Sequence, residues 1–304
     1  MKVNLQNYFW PNIVSWILIL FSYVLISKDS SIFEIVFLVD IWLLSHPHAL
    51  ITFFKKRTYQ TFSIKSLITI FVITMIVLSL VAREKGQVGL YFIYFFWQWF
   101  HYFRQNYGIS FKLLKSSNDL IRRFEYLFNH IMPLLAILIL FSKGPLDFLG
   151  HYIPFFNLQS FQQIFEWGFL VLIFLWGFLN SMYLVKNKNH LPYFVNTAST
   201  FVLYYFAYVF AQHFIYGWLG LTIYHNVQYL FFTYQDRSFE LPFFNKSKAI
   251  GFYSVLTLFS VVVYGLIFFG TDLISSRFIP LALITVFSLN ILHYVVDSWI
   301  WKKA

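Results

Sequence analysis

The feature that most constrains this chain is a series of apolar runs, each about 20 residues long, separated by short islands of charge. An α-helix of that length crosses the hydrocarbon core of a bilayer. Only 11% of the 304 residues are charged, against about 25% in a soluble domain. The runs lack the ten-residue alternation of a membrane β-barrel. The sequence therefore predicts an all-α, polytopic integral membrane bundle that forms a single domain over residues 1–304.

The apolar runs predict about ten transmembrane helices. We place these spans at residues 10–27, 32–54, 65–82, 88–108, 123–142, 161–185, 194–216, 218–235, 249–270 and 278–301. A tight glycine-bearing turn at 216–220 is predicted between the seventh and eighth spans. The first span is expected to be retained, because no small-residue cleavage pattern follows it.

The basic residues are divided unevenly between the two sides of the predicted bundle. With ten spans, all but five of the 22 basic residues lie on the side that carries both termini. Loops rich in Lys and Arg stay in the cytoplasm, so both termini are expected there, in a bacterial inner (plasma) membrane. The same loops account for the formal net charge of +10, and no nucleic-acid partner is predicted.

Apart from His213, near the outer end of its span, six of the nine histidines fall inside predicted spans, where ionisable side chains are rare and face the protein interior. They are His46, His48, His101, His130, His225 and His293. All except His46 lie roughly 10 to 17 Å below the predicted cytoplasmic boundary, at 1.5 Å per residue. We therefore predict that these imidazoles meet around one metal ion, and we include His46 among the candidate ligands. His151 and His190 fall in predicted loops and are expected at the surface.

Three polar residues follow a span histidine by three or four positions, which places each pair on one helix face. They are Gln105, Gln228 and Asp297. A metal-bound imidazole needs an acceptor for its other N–H, and these side chains are predicted to supply it. Asp297 and Glu125 are also candidate catalytic residues. Pro47 is expected to break the helical hydrogen-bond ladder, turn His48 inward and free a carbonyl for a polar neighbour.

The metal itself stays open at this point. Imidazole ligands suit iron, copper or zinc, and the absence of cysteine excludes thiolate sites and Fe–S clusters. Fe(II) with open positions would suit O2 activation, whereas zinc-bound hydroxide would suit hydrolysis with a carboxylate base. Two of the histidines could instead ligate a haem.

Four short motifs resemble those of the bacterial Brp/Blh family, membrane β-carotene 15,15′-dioxygenases that cleave a carotenoid to retinal. The motifs are "HPHALI" (46–51), "HYFRQNYG" (101–108), "YHNVQY" (224–229) and "LHYVVDSWIWK" (292–302). The resemblance implies an iron site held by His48, His101, His225 and His293.

The expected function is therefore a histidine-ligated, non-haem Fe(II) oxygenase that uses O2 on a lipophilic substrate from the surrounding membrane lipids, with carotenoid cleavage as the reaction that the resemblance implies. Other classes remain open. One is a multi-span transporter or proton-coupled protein with a buried His/Asp relay. The others are a haem-binding membrane protein and a structural subunit whose histidines only pack helices.

Overall fold

The structure is a computed structural model that describes residues 6–114, 119–144, 146–148, 151–153, 158–210, 214–236, 239–274 and 280–302. These residues are mostly helical. The helices are α1 (Gln6–Lys28), α2 (Ile32–Asp40), α3 (His46–Ile51), α4 (Lys56–Thr61), α5 (Ile64–Leu113), α6 (Asp119–Ser142), α7 (Gln162–Lys186), α8 (Leu191–Tyr204), α9 (Phe214–Asp236), α10 (Pro242–Lys246), α11 (Ala249–Ile274) and α12 (Pro280–Lys302). Two short strands, β1 (Leu146–Phe148) and β2 (His151–Ile153), pair antiparallel, with Asp147 opposite Tyr152.

Seven helical segments of the described residues are long and apolar enough to cross a membrane. They are Phe9–Lys28, Ile32–Phe54, Ile64–Leu113, Leu120–Ser142, Gln159–Lys186, Ala249–Gly270 and Leu281–Trp299. The all-α prediction is confirmed, but the number of ten spans is not. Two predicted spans fall on the single helix α5, and two more fall on α8 and α9, outside the seven. Helices α8 and α9 bury hydroxyl, amide and imidazole side chains, and such groups lower the mean hydropathy.

The break predicted between spans 65–82 and 88–108 lies at Gly86. Its backbone leaves the helical region, with φ 63° and ψ −157°. Positive φ is costly for a residue with a Cβ atom. A glycine therefore allows α5 to kink at the point where two predicted spans meet.

Pro47 has the predicted effect on its helix. The turn before it, Ile41–Ser45, is π-helical and connects α2 to α3. Pro47 has no N–H to donate to the carbonyl of Leu43, four residues earlier, and that carbonyl accepts a hydrogen bond from the Tyr253 hydroxyl instead. A side chain from α11 thus supplies the hydrogen bond that the Leu43 carbonyl does not receive from Pro47.

The predicted turn at 216–220 is wrong, because these residues lie inside α9. Gly217 packs directly on the backbone of Ala207, where a Cβ atom would collide. The glycine therefore serves a close approach between backbones rather than a turn. The connection itself, residues 211–213, lies outside the described residues.

The chain divides into two compact units. Unit 1 comprises Met1–Tyr23 and Tyr102–His225, and unit 2 comprises Val24–His101 and Asn226–Ala304. The chain passes from one unit to the other within α1, α5 and α9. The single domain predicted over residues 1–304 stays a prediction. One core cluster of unit 2 consists of Leu50, Leu78, Leu90, Tyr264, Ile284, Val286, Phe287 and Ile291.

Candidate metal centre

Three buried side chains of unit 2 form a group that could hold a metal ion. His101, His293 and Asp297 each offer one ligand atom, and these atoms all lie within 4.8 Å of one another. His101 comes from α5, whereas the other two lie one turn apart on α12. His293 and Asp297 are fully buried, and His101 is 3% exposed. The spacing of His293 and Asp297 in the sequence thus translates into one shared site.

A third imidazole of the same unit points at this group. Nε2 of His48, on α3, lies 2.9 Å from Nε2 of His293, and the two rings cross at 81°. Two imidazoles bound to one ion at 2.0–2.1 Å and at right angles place their nitrogens about 2.9 Å apart. Without an ion, the same distance fits an N–H···N hydrogen bond in which one ring donates.

A chain of hydrogen bonds assigns the protons around His293. The Tyr229 hydroxyl donates to Oδ1 of Asp297 at 2.6 Å. The Thr52 hydroxyl, which contacts the Tyr229 hydroxyl, must then donate to it. Thr52 therefore accepts from Nδ1 of His293 at 2.8 Å. This order leaves the lone pair of His293 on Nε2, the atom that faces His48.

Lys55 brings a positive charge to the same chain. Its side chain is buried, and Nζ donates to the Tyr229 hydroxyl at 2.9 Å. Nζ also lies 4.2 Å from the centroid of the Tyr229 ring, within the range of a cation–π contact.

Aromatic rings fix the orientation of the imidazoles. His101 stacks on Tyr294 at a centroid distance of 4.1 Å and an angle of 20°. The His48 ring lies 4.1 Å from the Tyr229 ring. These neighbours restrict rotation of the His101 and His48 rings.

His225 and its predicted partners, Gln105 and Gln228, are all buried. His225 is the last residue of unit 1. It is buried, with its ring 4.2 Å from Tyr102. The Gln105 amide donates to the backbone carbonyl of His225 at 3.0 Å. Gln228 is fully buried in α9. The predicted binding of His225 to the common ion, and the support of imidazoles by Gln105 and Gln228, stay predictions.

His46 and His130 join none of the groups of potential ligands found among the described residues. His46 stacks on Tyr264 at 3.6 Å, with the planes 3° apart. Nδ1 of His130 lies 2.6 Å from the Tyr126 carbonyl, and its ring packs edge-on against Phe103. Both therefore have packing partners of their own.

Glu125 has three hydrogen-bond donors within unit 1. Its carboxylate accepts from Nε1 of Trp176 at 2.8 Å, from Nδ2 of Asn180 at 2.6 Å and from the Tyr193 hydroxyl. It belongs to no group of potential metal ligands in the described part of the chain. Its predicted catalytic role stays a prediction.

His190 is not a surface residue, which corrects the prediction made from its loop position. It is 3% exposed, and its Nε2 lies 2.6 Å from Oδ1 of Asn180. Burial lowers the pKa of His190 to about 4. The side chain of His151, in β2, lies outside the described ones.

The sequence did not single out Thr52, Lys55, Tyr229 or Tyr294. Thr52 follows His48 by four residues, so the rule that selected Asp297 would have found it. Tyr229 follows His225 by four residues, but its ring lies against His48. In the sequence, Lys55 served only to predict which side of the membrane its loop lies on, because a basic residue at the end of a span is usually at the surface.

Comparison with known proteins adds nothing to this geometry. The resemblance carried by the four short motifs therefore stays a prediction. No protein-family model, curated protein or solved structure matches this chain.

Proposed function

We propose that this protein is a membrane-embedded, non-haem iron oxygenase that acts with O2 on a lipophilic substrate. The observation that carries the proposal is the 2.9 Å separation between the Nε2 atoms of His48 and His293, beside a group of His101, His293 and Asp297. These side chains are buried within helices that are mostly apolar. A site of this kind suits chemistry on a molecule that dissolves in the bilayer.

The donor set is compatible with iron. Two histidines and one carboxylate form the ligand set of many non-haem Fe(II) oxygenases, in which open positions remain for O2. Two imidazoles at right angles around one ion would match the 2.9 Å separation of the His48 and His293 nitrogens. Haem iron held between two imidazoles would require about 4 Å between their nitrogens.

The chain's own residues would orient and shield the reaction. Fe(II), when bound, supplies a position at which O2 can bind and be activated. Thr52 holds the Nδ1 proton of His293, so Nε2 keeps its lone pair for the ion. Tyr229 donates to one oxygen of Asp297 and so orients the carboxylate. Burial of all these groups excludes water, which would otherwise compete for the open position.

Carotenoid cleavage is the specific reaction that we propose for this site, following the resemblance of the four motifs. Cleavage of one C=C bond by O2 places one oxygen atom in each of two aldehyde products. The atoms and electrons balance without an external reductant. A long apolar polyene would enter from the bilayer between the exposed apolar faces of the helices.

Elemental analysis of the detergent-purified full chain tests the proposal. We expect close to one iron per chain, and almost none in His293→Ala. Co-expression with a β-carotene pathway should then bleach the carotenoid colour with the unaltered chain and not with His293→Ala. A folded protein without any transition metal would exclude the oxygenase.

We also propose how the chain is oriented in the membrane and how many times it crosses the membrane. Helices α8 and α9 and the two halves of α5 would complete ten crossings, with both termini in the cytoplasm of a bacterium. Reporter fusions at residue 304 and in the loop at residues 143–158 should report opposite sides of the inner membrane. Two reporters on the same side of the membrane would contradict this topology.

Buried carboxylates favour a second candidate function, a proton-coupled transporter. Asp40, Glu125 and Asp297 are at most 2% exposed, and each lies in a segment long enough to cross a membrane. Carboxylates in such positions often relay protons. Proteoliposomes that show substrate-coupled proton flux, with no bound metal, would favour this function.

A further inference from the structure

A second polar site lies in unit 1, around Glu125. The carboxylate is 2% exposed and lies within a candidate membrane span, Leu120–Ser142. Trp176, Asn180 and Tyr193 all bond to it. An ionisable side chain in such a position calls for a functional explanation and a partner.

Glu125 accepts in all three of these hydrogen bonds, and the neighbouring residue donates in each. Oδ1 of Asn180 faces His190, so Nδ2 of Asn180 must be the atom that donates to Glu125. Nδ2 of Asn129 donates to the Tyr193 hydroxyl at 3.1 Å, so the proton of Tyr193 goes to Glu125. The Trp176 indole can only donate. Three donors suit a carboxylate, which only accepts and has about four acceptor positions, so about one position remains.

A cavity of about 340 Å³ opens beside this carboxylate. Its size lies at the small end of ligand pockets, which run from about 300 to 1,000 Å³. Leu120 at the rim is 75% exposed. Its lining is mostly apolar or aromatic and consists of Leu120, Ile121, Phe124, Glu125, Leu179, Asn180 and Tyr183. One carboxylate in a mostly apolar cavity fits an apolar chain that ends in a hydrogen-bond donor.

Two arginines add a second charge to the pattern. Arg122 and Arg123 are exposed and precede Glu125 by three and two residues on α6. A guanidinium pairs readily with a phosphate, whereas the buried carboxylate pairs with an ammonium. The two arginines do not line the cavity, but they place positive charge at this end of α6, which suits a membrane surface that carries lipid phosphates.

We propose that this cavity binds a phospholipid whose headgroup carries a primary ammonium. The ammonium donates to the remaining acceptor position of Glu125, and an acyl chain lies along Leu120 and Leu179. A choline headgroup has no N–H to donate, and a glycerol headgroup has no positive charge. The site does not depend on the proposed oxygenase.

The thermal midpoint of the detergent-purified full chain tests this site. The protein is heated in mixed micelles that contain phosphatidylethanolamine, phosphatidylcholine or phosphatidylglycerol with the same acyl chains. We expect phosphatidylethanolamine to raise the midpoint by several degrees more than phosphatidylcholine. In Glu125→Gln this difference should disappear. Glu166→Gln, which alters a carboxylate on α7 that bonds to Gln162, should keep it.

A second variant separates lipid binding from the stability of the polar network. Leu179→Trp fills the cavity and leaves the hydrogen bonds of Glu125 in place. This variant should therefore lose the preference for phosphatidylethanolamine. Its thermal midpoint without lipid should stay close to that of the unaltered chain. Equal effects of phosphatidylethanolamine and phosphatidylcholine on the unaltered chain would overturn the proposal. So would a stronger effect of phosphatidylglycerol, which would assign the surface to anionic lipids. Iron content, measured in the same preparations, reports on the oxygenase separately.

Discussion

The Nε2 atoms of His48 and His293 lie 2.9 Å apart, although these residues are separated by 245 positions in the chain. If both imidazoles are neutral, only one of them can place an N–H between the two Nε2 atoms. A cation bound between them would instead use the lone pairs of both Nε2 atoms. The hydrogen bonds of Thr52 and Tyr229 leave Nε2 of His293 unprotonated, so this atom can accept a hydrogen bond from His48 or bind a cation.

His293→Ala is expected to abolish metal binding. The side chain supplies a potential ligand atom to the group with His101 and Asp297 and also faces His48. Bound metal should fall from about one ion per chain to near zero by elemental analysis. His130→Ala is the control, because Nδ1 of His130 is held by the Tyr126 carbonyl, and it should keep its metal. Equal loss in both variants would contradict the site.

Tyr229→Phe is expected to weaken metal binding without abolishing it. The variant keeps the ring that packs on His48 but removes the hydroxyl that bonds to Asp297 and Lys55. Loss of such a supporting contact typically lowers metal affinity about 10- to 100-fold, which chelator competition measures. Tyr253→Phe, whose hydroxyl bonds to the Leu43 carbonyl, should leave the affinity unchanged. An unchanged affinity in Tyr229→Phe would show that Asp297 does not need this support.

Removal of the metal is expected to lower the thermal stability of the full chain. An ion that binds only the folded state stabilises it, by about 2.7 kcal/mol when the free ion exceeds its dissociation constant 100-fold. A strong chelator should therefore lower the thermal midpoint of the unaltered protein by several degrees. His293→Ala should not respond. A chelator effect of the same size in that variant would point to an ion elsewhere.

Stability is expected to fall as the pH drops from about 6.5 toward 4. Burial holds the pKa of His190 at about 4 in the folded protein, whereas an exposed histidine titrates near 6.5. The unfolded chain therefore takes up this proton first, so the contribution is complete above pH 6.5 and is lost toward pH 4. His190→Gln keeps a donor for Asn180 and should show a smaller decline of the midpoint. Identical pH profiles would contradict this role of His190.

Gly217→Ala is expected to destabilise unit 1. A Cβ atom at this position would collide with the backbone of Ala207, and a backbone cannot move aside as a flexible side chain can. Overpacking of this kind costs about 1–3 kcal/mol, which should appear as a lower thermal midpoint. At Gly220, the nearest atom to an added Cβ is a side-chain carbon of Ile19 at 3.5 Å. Gly220→Ala should therefore be tolerated, and equal effects would argue against the close approach at Gly217.

The helices were largely predictable from the sequence. Apolar runs and charge islands located most of them to within a few residues, and Gly86 lies in the predicted break. The number of membrane spans was less predictable, since α8 and α9 bury polar groups such as Asn196 and Gln228. These side chains lower the hydropathy of a helix whether it faces lipid or protein.

The candidate site was predictable only in part. The spacing of His293 and Asp297 placed both on one face of one helix, and the structure keeps them together. The contacts of Thr52, Lys55 and Tyr229 depend on α3, α9 and α12 meeting at particular rotations. Each residue turns a helix by about 100°, so hydropathy does not specify which polar side chain faces which neighbour.

The sequence by itself determined that this chain forms apolar helices, because backbone hydrogen bonds within a helix and the length of an apolar run are local properties. Only the tertiary structure decided that His48 faces His293 across α3 and α12, that Tyr229 joins Lys55 to Asp297, and that Glu125 meets Trp176, Asn180 and Tyr193. These pairings join residues distant in the chain. The packing of whole helices against one another sets them, and no short stretch of sequence records it.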